Sequence, residues 1–276
     1  MKVFISVDLE GVNGVVSPSQ VLPGNLEYDR TRKLVTDEVN AAVLGALEAG
    51  ASEILVNDSH NDMCNIDITR LHPRAKLILG DSKKYSMVHG ADATFDAAIF
   101  LGYHAKAGTP YAIMDHSFYP KEVLDIRING VSYGEIGLNM LFLAEIGVPV
   151  VMVTGDRAAI EETLSLNPWC KTVCVKEAQG RFSAKCIPIE DSLSRIKETA
   201  KEALSFKQKK ILRVPKNPVL EIEFASPNLT DAAGIVPGVE RVNARSISFR
   251  CSNIRDLYMW RQVFCALASK AYDEHY

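Results

Sequence analysis

The stretch Lys2–Gly11 (KVFISVDLEG) decides the fold class, because it joins a short β-type run to two acidic residues. The run Lys2–Val7 contains β-branched and aromatic side chains, which predicts a buried strand. It ends at Asp8, and Glu10 follows two residues later. In open α/β sheets, ligands bind at the carboxyl ends of the strands, so this stretch predicts both a strand and the edge of a site.

Short apolar runs alternate with helical segments over the first two thirds of the chain. Further strands are predicted at Ile54–Val56, Lys76–Leu79, Ala97–Leu101 and Val148–Val153, and helices at Tyr28–Ala49, Glu135–Ile146 and Asp156–Leu166. The Asn129-Gly130 pair between Asp125–Ile128 and Val131–Tyr133 favours a hairpin, because it fits a two-residue primed turn. We therefore predict an α/β fold, with a mostly parallel sheet and helices on both faces.

The pattern changes from about Glu190, where the regular alternation of strand and helix is lost. The elements predicted there are a charged helix at Asp191–Leu204, a basic tract at 207–210, a strand at Val219–Phe224, a Pro/Asn/Gly-rich loop, a strand pair near Val239–Arg250 and a terminal helix from Asn253. We interpret the basic tract as a solvated helix end. The chain is predicted to form two units, an α/β core over 1–190 and a smaller C-terminal α+β subdomain over 191–276.

Composition and charge exclude several classes of protein. Of the 276 residues, 47% are hydrophobic and 24% are charged, which is globular composition and excludes long disordered segments. The formal net charge is −3, so the chain has no excess of positive charge with which to bind phosphate backbones. No nucleic-acid partner is therefore expected.

Two further features concern the compartment in which the protein works. Lys2 and Asp8 interrupt any signal-peptide pattern, and the apolar run Val148–Val153 is too short to span a membrane. The six cysteines lack the close paired spacing of zinc ribbons and are predicted to be buried, reduced thiols. A soluble, cytoplasmic protein without membrane association is expected.

Carboxylate and imidazole side chains follow several of the predicted strands or lie in loops close by. These side chains are Asp8, Glu10, His60, His104, His116 and Glu135. Taken singly, each acid could be a loop residue or a helix cap, and each histidine could be an ordinary surface residue. At one edge of a parallel sheet they would converge, and carboxylates with neutral imidazoles suit a divalent cation. The unit 1–190 is therefore the predicted metal-bearing core.

Several short motifs carry a resemblance to a known family. Residues 6–11 read SVDLEG and match the pattern S-x-D-x-E-G. The further motifs are Asn57-Asp58-Ser59-His60, Gly102-Tyr103-His104, Met114-Asp115-His116-Ser117, Gly134-Glu135-Ile136-Gly137 and, more weakly, Ile235–Arg241. In their order and spacing over nearly the whole chain, they resemble the bacterial zinc-dependent D-aminopeptidases of the DppA type.

That resemblance implies a dinuclear zinc centre, with two Zn²⁺ ions per subunit and Asp8 as the bridge between them. The implied metal ligands are Asp8, Glu10, His60, His104 and Glu135. His116 falls on the catalytic position, which the family assigns to a nucleophile. Because zinc can activate water, a general acid–base or oxyanion-binding role for His116 is an equally open interpretation.

The resemblance also implies the substrate and the assembly. A short peptide would lose its N-terminal residue, a D-amino acid such as D-Ala, inside a homo-oligomeric ring that encloses the active sites. The predicted terminal helix carries an apolar stripe at Leu257, Trp260, Val263, Phe264 and Leu267. Such a stripe could pack against another subunit or within its own.

Two other functions stay open on the residues alone. In a haloacid-dehalogenase-type phosphatase using Mg²⁺, Asp8 would attack phosphorus and Glu10 would protonate the leaving group, but the three histidines would have no role. A non-catalytic binding module is the second alternative, although no G-x-G-x-x-G follows a strand and no P-loop motif occurs. We therefore expect a dinuclear zinc aminopeptidase in which metal-activated water attacks the peptide and His116 is the catalytic residue.

Overall fold

The computed structural model describes residues 1–206 and 210–272, and this part of the chain forms two β-sheets. The strands are β1 (Lys2–Val7), β2 (Glu53–Asp58), β3 (Ala75–Ile78), β4 (Ala97–Tyr103), β5 (Val123–Ile128), β6 (Val131–Ser132), β7 (Val150–Asp156), β8 (Lys171–Gly180), β9 (Ser183–Cys186), β10 (Val219–Phe224), β11 (Glu240–Arg241) and β12 (Ser246–Arg250). The helices are α1 (Pro18–Val21), α2 (Tyr28–Glu48), α3 (Glu135–Glu145), α4 (Arg157–Leu166), α5 (Ile189–Ser205), α6 (Pro227–Gly234) and α7 (Ile254–Lys270). The predicted basic tract lies, except for Lys210, outside the described residues.

The first sheet confirms the predicted parallel core. Its order is β3-β2-β1-β4-β7-β8-β9, and each neighbouring pair is parallel except β8 with β9. Val3, Ile5 and Val7 of β1 join one apolar cluster, to which α2 and α5 contribute, while Phe4 joins a second cluster that includes α3. A strand buried on both faces needs apolar residues on both, and the run that opens the chain provides them.

The strand order reverses at β1, and this reversal locates the edge where polar residues meet. Val7 pairs with Asp58 of β2 on one side and with Leu101 of β4 on the other. The loops that follow these three strands therefore leave the sheet side by side. In open α/β sheets this crevice is where ligands bind.

The second sheet is antiparallel, with the order β11-β12-β10-β5-β6. The predicted hairpin is present, because β5 and β6 pair around Asn129 and Gly130. Elements on the two sides of residue 190 are in contact, since β5 pairs with β10 from the last third of the chain and α5 packs against α2. Each of the two apolar clusters contains residues from both sides of the predicted boundary. The division into 1–190 and 191–276 stays a prediction.

Two local predictions are wrong. The region predicted as a Pro/Asn/Gly-rich loop contains helix α6, which begins at Pro227 after the N-cap Ser226. Proline is favourable at the first helical position, where its missing N–H is not needed. Of the six cysteines, all free, only Cys170, Cys251 and Cys265 are buried, so the expectation of buried thiols holds for half of them.

The terminal helix packs chiefly on its own subunit. Leu257 and Phe264 are fully buried in the second apolar cluster, and the ring of Trp260 lies 4.7 Å from that of Phe249. Val263 is the exposed member of the stripe. The stripe therefore needs no second subunit to cover it.

No helix among the described residues is both long enough and apolar enough to cross a lipid bilayer.

Replacing Gly102 with alanine is expected to lower the free energy of unfolding by about 3 kcal/mol, because of backbone strain and overpacking. Gly102 has φ +67°, and an added Cβ would lie 2.2 Å from the carbonyl oxygen of Asp8. The matched control is Gly108→Ala: φ there is +80°, but no described atom lies within 4 Å of the added Cβ. That variant is expected to lose only about 1 kcal/mol. Urea denaturation of both variants measures the difference, and equal losses would contradict the close approach.

Candidate metal centre

The turn after β1, residues 8–15, lies against the end of β4 and is called here the first-strand turn. The amide of Asp8 donates to the Leu101 carbonyl at 2.8 Å, and the amide of Gly11 donates to the Gly102 carbonyl at 2.7 Å. A Cβ on Gly11 would lie 2.0 Å from the carbonyl oxygen of Tyr103. Only glycine at this position permits the turn to approach β4 so closely.

The ammonium of Lys176, on β8, holds the other side of the first-strand turn. This buried group donates to the carbonyls of Glu10 at 2.5 Å and Val12 at 2.7 Å, and also to the carbonyl of Val15. Burial lowers the pKa of Lys176 to about 8. Three convergent carbonyls and one ammonium fix the backbone from which the two acidic side chains project.

His60 faces both of these acids. Its Nδ1 lies 3.2 Å from Asp8 Oδ1 and 3.1 Å from Glu10 Oε2. Its Nε2 donates to the carbonyl of Val21 at 2.8 Å. Because a carbonyl can only accept, this hydrogen bond leaves Nδ1 as the nitrogen available to a cation.

His104 occupies the middle of the cluster. Its Nε2 lies 3.5 Å from Asp8 Oδ2 and 3.5 Å from Glu135 Oε1, while its Nδ1 donates to the carbonyl of Ala105 at 2.9 Å. The outward hydrogen bond again points the remaining ring nitrogen at carboxylates. Glu135 begins α3, so the end of β4 and the start of this helix meet here.

His116 lies beside His104, with the two rings stacked at 4.0 Å between centroids and 15° between planes. Its Nε2 lies 3.6 Å from Glu135 Oε1, and its Nδ1 donates to the Met114 carbonyl at 2.9 Å. The amide of Phe118 donates to Glu135 Oε1 at 2.6 Å. The loop that carries His116 thus also holds the carboxylate of α3.

The structure brings all six predicted site residues together, although they are scattered over more than a hundred positions of the sequence. Two overlapping groups of ligand atoms result, each with its atoms within 4.8 Å of one another. The groups are Asp8, Glu10 and His104, and His104, His116 and Glu135. His60 belongs to neither group, although its Nδ1 lies 3.2 Å from Asp8 Oδ1 and 3.1 Å from Glu10 Oε2. His72 and His89 also belong to neither group, and residue 275 lies outside the described chain.

The buried carboxylates raise the proton affinity of the imidazoles between them. Although burial opposes a charged ring, Glu10 raises the pKa of His60 well above its ordinary value, and Glu135 does the same for His104. Although burial also opposes ionised acids, the two imidazoles lower the pKa of Glu10 and of Glu135. Burial, together with Glu10, raises the pKa of Asp8 to about 7. Protons on the imidazoles supply positive charge that a bound cation would replace.

Two buried polar atoms without hydrogen-bond partners indicate whether a cation would fit between these residues. Asp8 Oδ2 and His104 Nε2 have no hydrogen-bond partner among the described residues, and they lie 3.5 Å apart. Asp8 is 2% exposed and His104 is 1% exposed, so unpartnered atoms here are costly. A divalent cation between a carboxylate oxygen and an imidazole nitrogen would satisfy both, and the donor set therefore fits such an ion.

Comparison with known proteins decides the family to which this site belongs. A model of the D-aminopeptidase family matches residues 1–263. The chain belongs to the D-aminopeptidase family. The resemblance predicted from the motifs is thereby confirmed, and with it the prediction that the chain is an enzyme of the aminopeptidase type.

A sequence match and a structure match support the assignment over nearly the whole chain. The D-aminopeptidase of Bacillus subtilis (strain 168) is 38% identical over 275 residues, which cover 98% of each protein. The solved structure of the Zn-dependent D-aminopeptidase DppA from Bacillus subtilis, described as a self-compartmentalizing protease, matches with a TM-score of 0.95. That match has 39% identity and covers 98% of both chains, and it confirms the predicted α/β fold class.

Family membership overturns the phosphatase alternative for Asp8 and Glu10. In this D-aminopeptidase-family chain, the two oxygens of Asp8 face His60 and His104. Glu10 in turn lies against His60. Two of the three histidines that a phosphatase would leave without a role, His60 and His104, are those that contact the two acids.

Lys176 belongs to this site, but it is not among the residues identified from the sequence. Its position in β8 follows the buried residues Val173 and Val175, in a run that predicts an ordinary strand. A lysine directly after apolar strand residues is the one signal that points to a buried, paired ammonium. Its partners are backbone carbonyls, which carry no sequence signature.

Proposed function

We propose that the chain is a dinuclear zinc aminopeptidase that removes the N-terminal residue, a D-amino acid such as D-Ala, from short peptides. The supporting observation is the way in which Asp8 divides the ligands: Oδ1 lies 3.2 Å from His60 Nδ1, and Oδ2 lies 3.5 Å from His104 Nε2. Glu10 joins the first set and Glu135 the second. A carboxylate with one oxygen in each set can bridge two ions, so Asp8 is the proposed bridge.

Two zinc ions, when bound, supply Lewis-acid activation of water and of the scissile carbonyl. The chain itself supplies orientation. The carbonyls of Val21 and Ala105 accept the outward N–H groups of His60 and His104, which fixes the tautomer of each ring. Each imidazole is thereby held ready with its inward nitrogen unprotonated in the loaded enzyme.

His116 is the proposed proton carrier. Its Nδ1 is bonded to the Met114 carbonyl, so Nε2 is the atom that exchanges a proton. Burial and the neighbouring His104 lower the pKa of His116, which favours a neutral ring near neutral pH. In the proposed role, Nε2 takes a proton from the attacking water and returns it to the leaving amine.

Assembly and location complete the proposal. The Bacillus subtilis relative is described as self-compartmentalizing, and we extend this to a homo-oligomeric ring of the present chain with short peptides as substrates. All six cysteines are free thiols, which supports a cytoplasmic location because thiols persist in reducing compartments.

Chelation is expected to abolish hydrolysis of a D-alanyl dipeptide, and added Zn²⁺ is expected to restore it. The measurement is amino-acid release from matched D- and L-alanyl dipeptides, alongside zinc content by atomic emission, with two ions per chain expected. p-Nitrophenyl phosphate with Mg²⁺ serves as the control substrate. Peptidase activity that survives complete zinc removal, or turnover of the phosphate ester alone, would contradict the proposal.

A further inference from the structure

The loop that carries His116, residues 112–118, contains two non-glycine residues in the left-handed backbone conformation. Met114 has φ +47° and Phe118 has φ +62°, two residues before and after the histidine. The left-handed region is unfavourable for residues with a Cβ. Such conformations persist where surrounding contacts determine them, so the contacts of this loop decide where the imidazole lies.

Several of these contacts come from Arg181, at the tip of the β8–β9 hairpin. Its Nε donates to Asp115 Oδ1 at 2.7 Å, and its Nη2 donates to the Asp115 carbonyl at 2.7 Å. Its own carbonyl accepts from the amide of Met114 at 3.0 Å. Three hydrogen bonds therefore join one hairpin residue to the two residues that precede His116.

Asp115 also contacts the residues that directly follow β4. Its Oδ2 accepts a hydrogen bond at 2.7 Å from the amide of Gly108, which lies in that part of the chain. The side chain of Asp115 is 14% exposed and that of Arg181 is 49% exposed. The carboxylate of Asp115 is thus largely shielded from water, and the guanidinium of Arg181 lies between it and the solvent.

We propose that Arg181 is a positioning residue for His116, which it holds in register with Glu135 through Asp115 and Met114. This inference rests on the proposed function, in which His116 carries the proton. The path is short, because Asp115, which the guanidinium holds, is the residue between His116 and Met114, whose carbonyl accepts from His116 Nδ1 and whose amide donates to the main-chain carbonyl of Arg181.

The chemistry of the pair requires arginine. A guanidinium presents parallel N–H groups that reach the side-chain and main-chain oxygens of Asp115 together, whereas a lysine ammonium is a point donor. The hairpin that carries Arg181 is formed by pairing of β8 with β9 up to Gly180 and Ser183, and β7 pairs with β8 as far as Lys176. Loss of the guanidinium would remove the two hydrogen bonds to Asp115 and leave the one from the Met114 amide to the Arg181 carbonyl, without opening a cavity in the core.

The test compares Arg181→Gln with Arg157→Gln. Arg157 pairs with Glu177 in β8, the strand that leads to Arg181, and its side chain is 57% exposed. Among the described residues it makes no hydrogen bond or ion pair with the His116 loop. We expect Arg181→Gln to lower kcat for a D-alanyl dipeptide by about 10-fold to 100-fold, since small misplacements of a catalytic group are costly. KM, zinc content and melting temperature are expected to match those of the control. Arg181→Lys is expected to recover only part of kcat.

A second readout does not depend on turnover. Hydrogen exchange of the peptide covering residues 112–118 in the zinc-free protein is expected to be faster in Arg181→Gln than in Arg157→Gln. Asp115→Ala is expected to give a similar loss of kcat, and the double variant less than the sum of the two. If wild-type enzyme cleaves the dipeptide but neither kcat nor loop exchange responds to Arg181→Gln, the positioning role is overturned. If wild-type enzyme cleaves no peptide, the proposed function fails, and loop exchange alone decides whether Arg181 holds the loop.

Discussion

Substitution of Asp8 with alanine is expected to remove zinc from both ligand sets and to abolish peptide hydrolysis. Asp8 contributes one oxygen to each set, facing His60 on one side and His104 on the other. Its loss leaves each set with one carboxylate and one imidazole, too few to hold zinc tightly. Because water is then no longer activated, kcat/KM is expected to fall by about 10³-fold or more.

Zinc content measured by atomic emission gives the decisive comparison for Asp8. Glu10→Ala removes a ligand from the first set alone, so it is expected to lose one ion where Asp8→Ala loses two. The matched control is Asp37→Ala, which removes an exposed carboxylate that pairs with Arg70. Two ions retained per chain in Asp8→Ala would rule out the bridging role.

Substitution of His116 with alanine is expected to lower kcat by about 10²-fold to 10⁴-fold, which is the usual contribution of a general acid–base group. The loss is expected in kcat, with zinc content unchanged, because the proposed ligand sets do not include His116. The matched control is His72→Ala, whose ring accepts a hydrogen bond from the Arg74 amide in the loop before β3. Steady-state kinetics on a D-alanyl dipeptide, with zinc content measured in parallel, separates the two variants.

The same experiment distinguishes the roles open to His116. Full activity of the alanine variant would remove any catalytic role for this residue. A covalent acyl-histidine detected by mass spectrometry of quenched wild-type enzyme would make it a nucleophile. The expected result is a strong loss of kcat without such an adduct.

Strand β1 shows how far the sequence predicts the fold and the candidate site. Val3, Phe4 and Ile5 are apolar in succession, so they indicate a strand covered on both faces, and such strands are parallel and central. The carboxyl ends of parallel strands meet at the same edge of a sheet, so the sequence alone predicts that Asp8 and His104 lie close together. The convergence of Asp8, Glu10, His60 and His104 follows from this geometry, whereas His116 comes from a loop and Glu135 from the start of α3. The roles of the six side chains as ligands and catalyst remain predictions.

Other features depend on contacts between distant segments. The antiparallel sheet pairs β5 with β10, and neither strand carries a pattern that names its partner. The hairpin strand β9 is mostly exposed, so it lacks the alternation that reveals a half-buried strand. The left-handed backbone of Met114 and Phe118 is likewise set by Arg181 and Glu135 from outside the loop. No local preference of these residues predicts it.

The ammonium of Lys176 has a consequence for metal exchange. It is a cation tethered to the chain by a covalent stem, so a chelator cannot extract it as it would extract the proposed zinc ions. The first-strand turn therefore retains its scaffold in the apoprotein, and Glu10 stays preorganised for the next ion. Repeated cycles of stripping and reloading, including substitution with cobalt or manganese for spectroscopy, are accordingly expected to proceed without refolding.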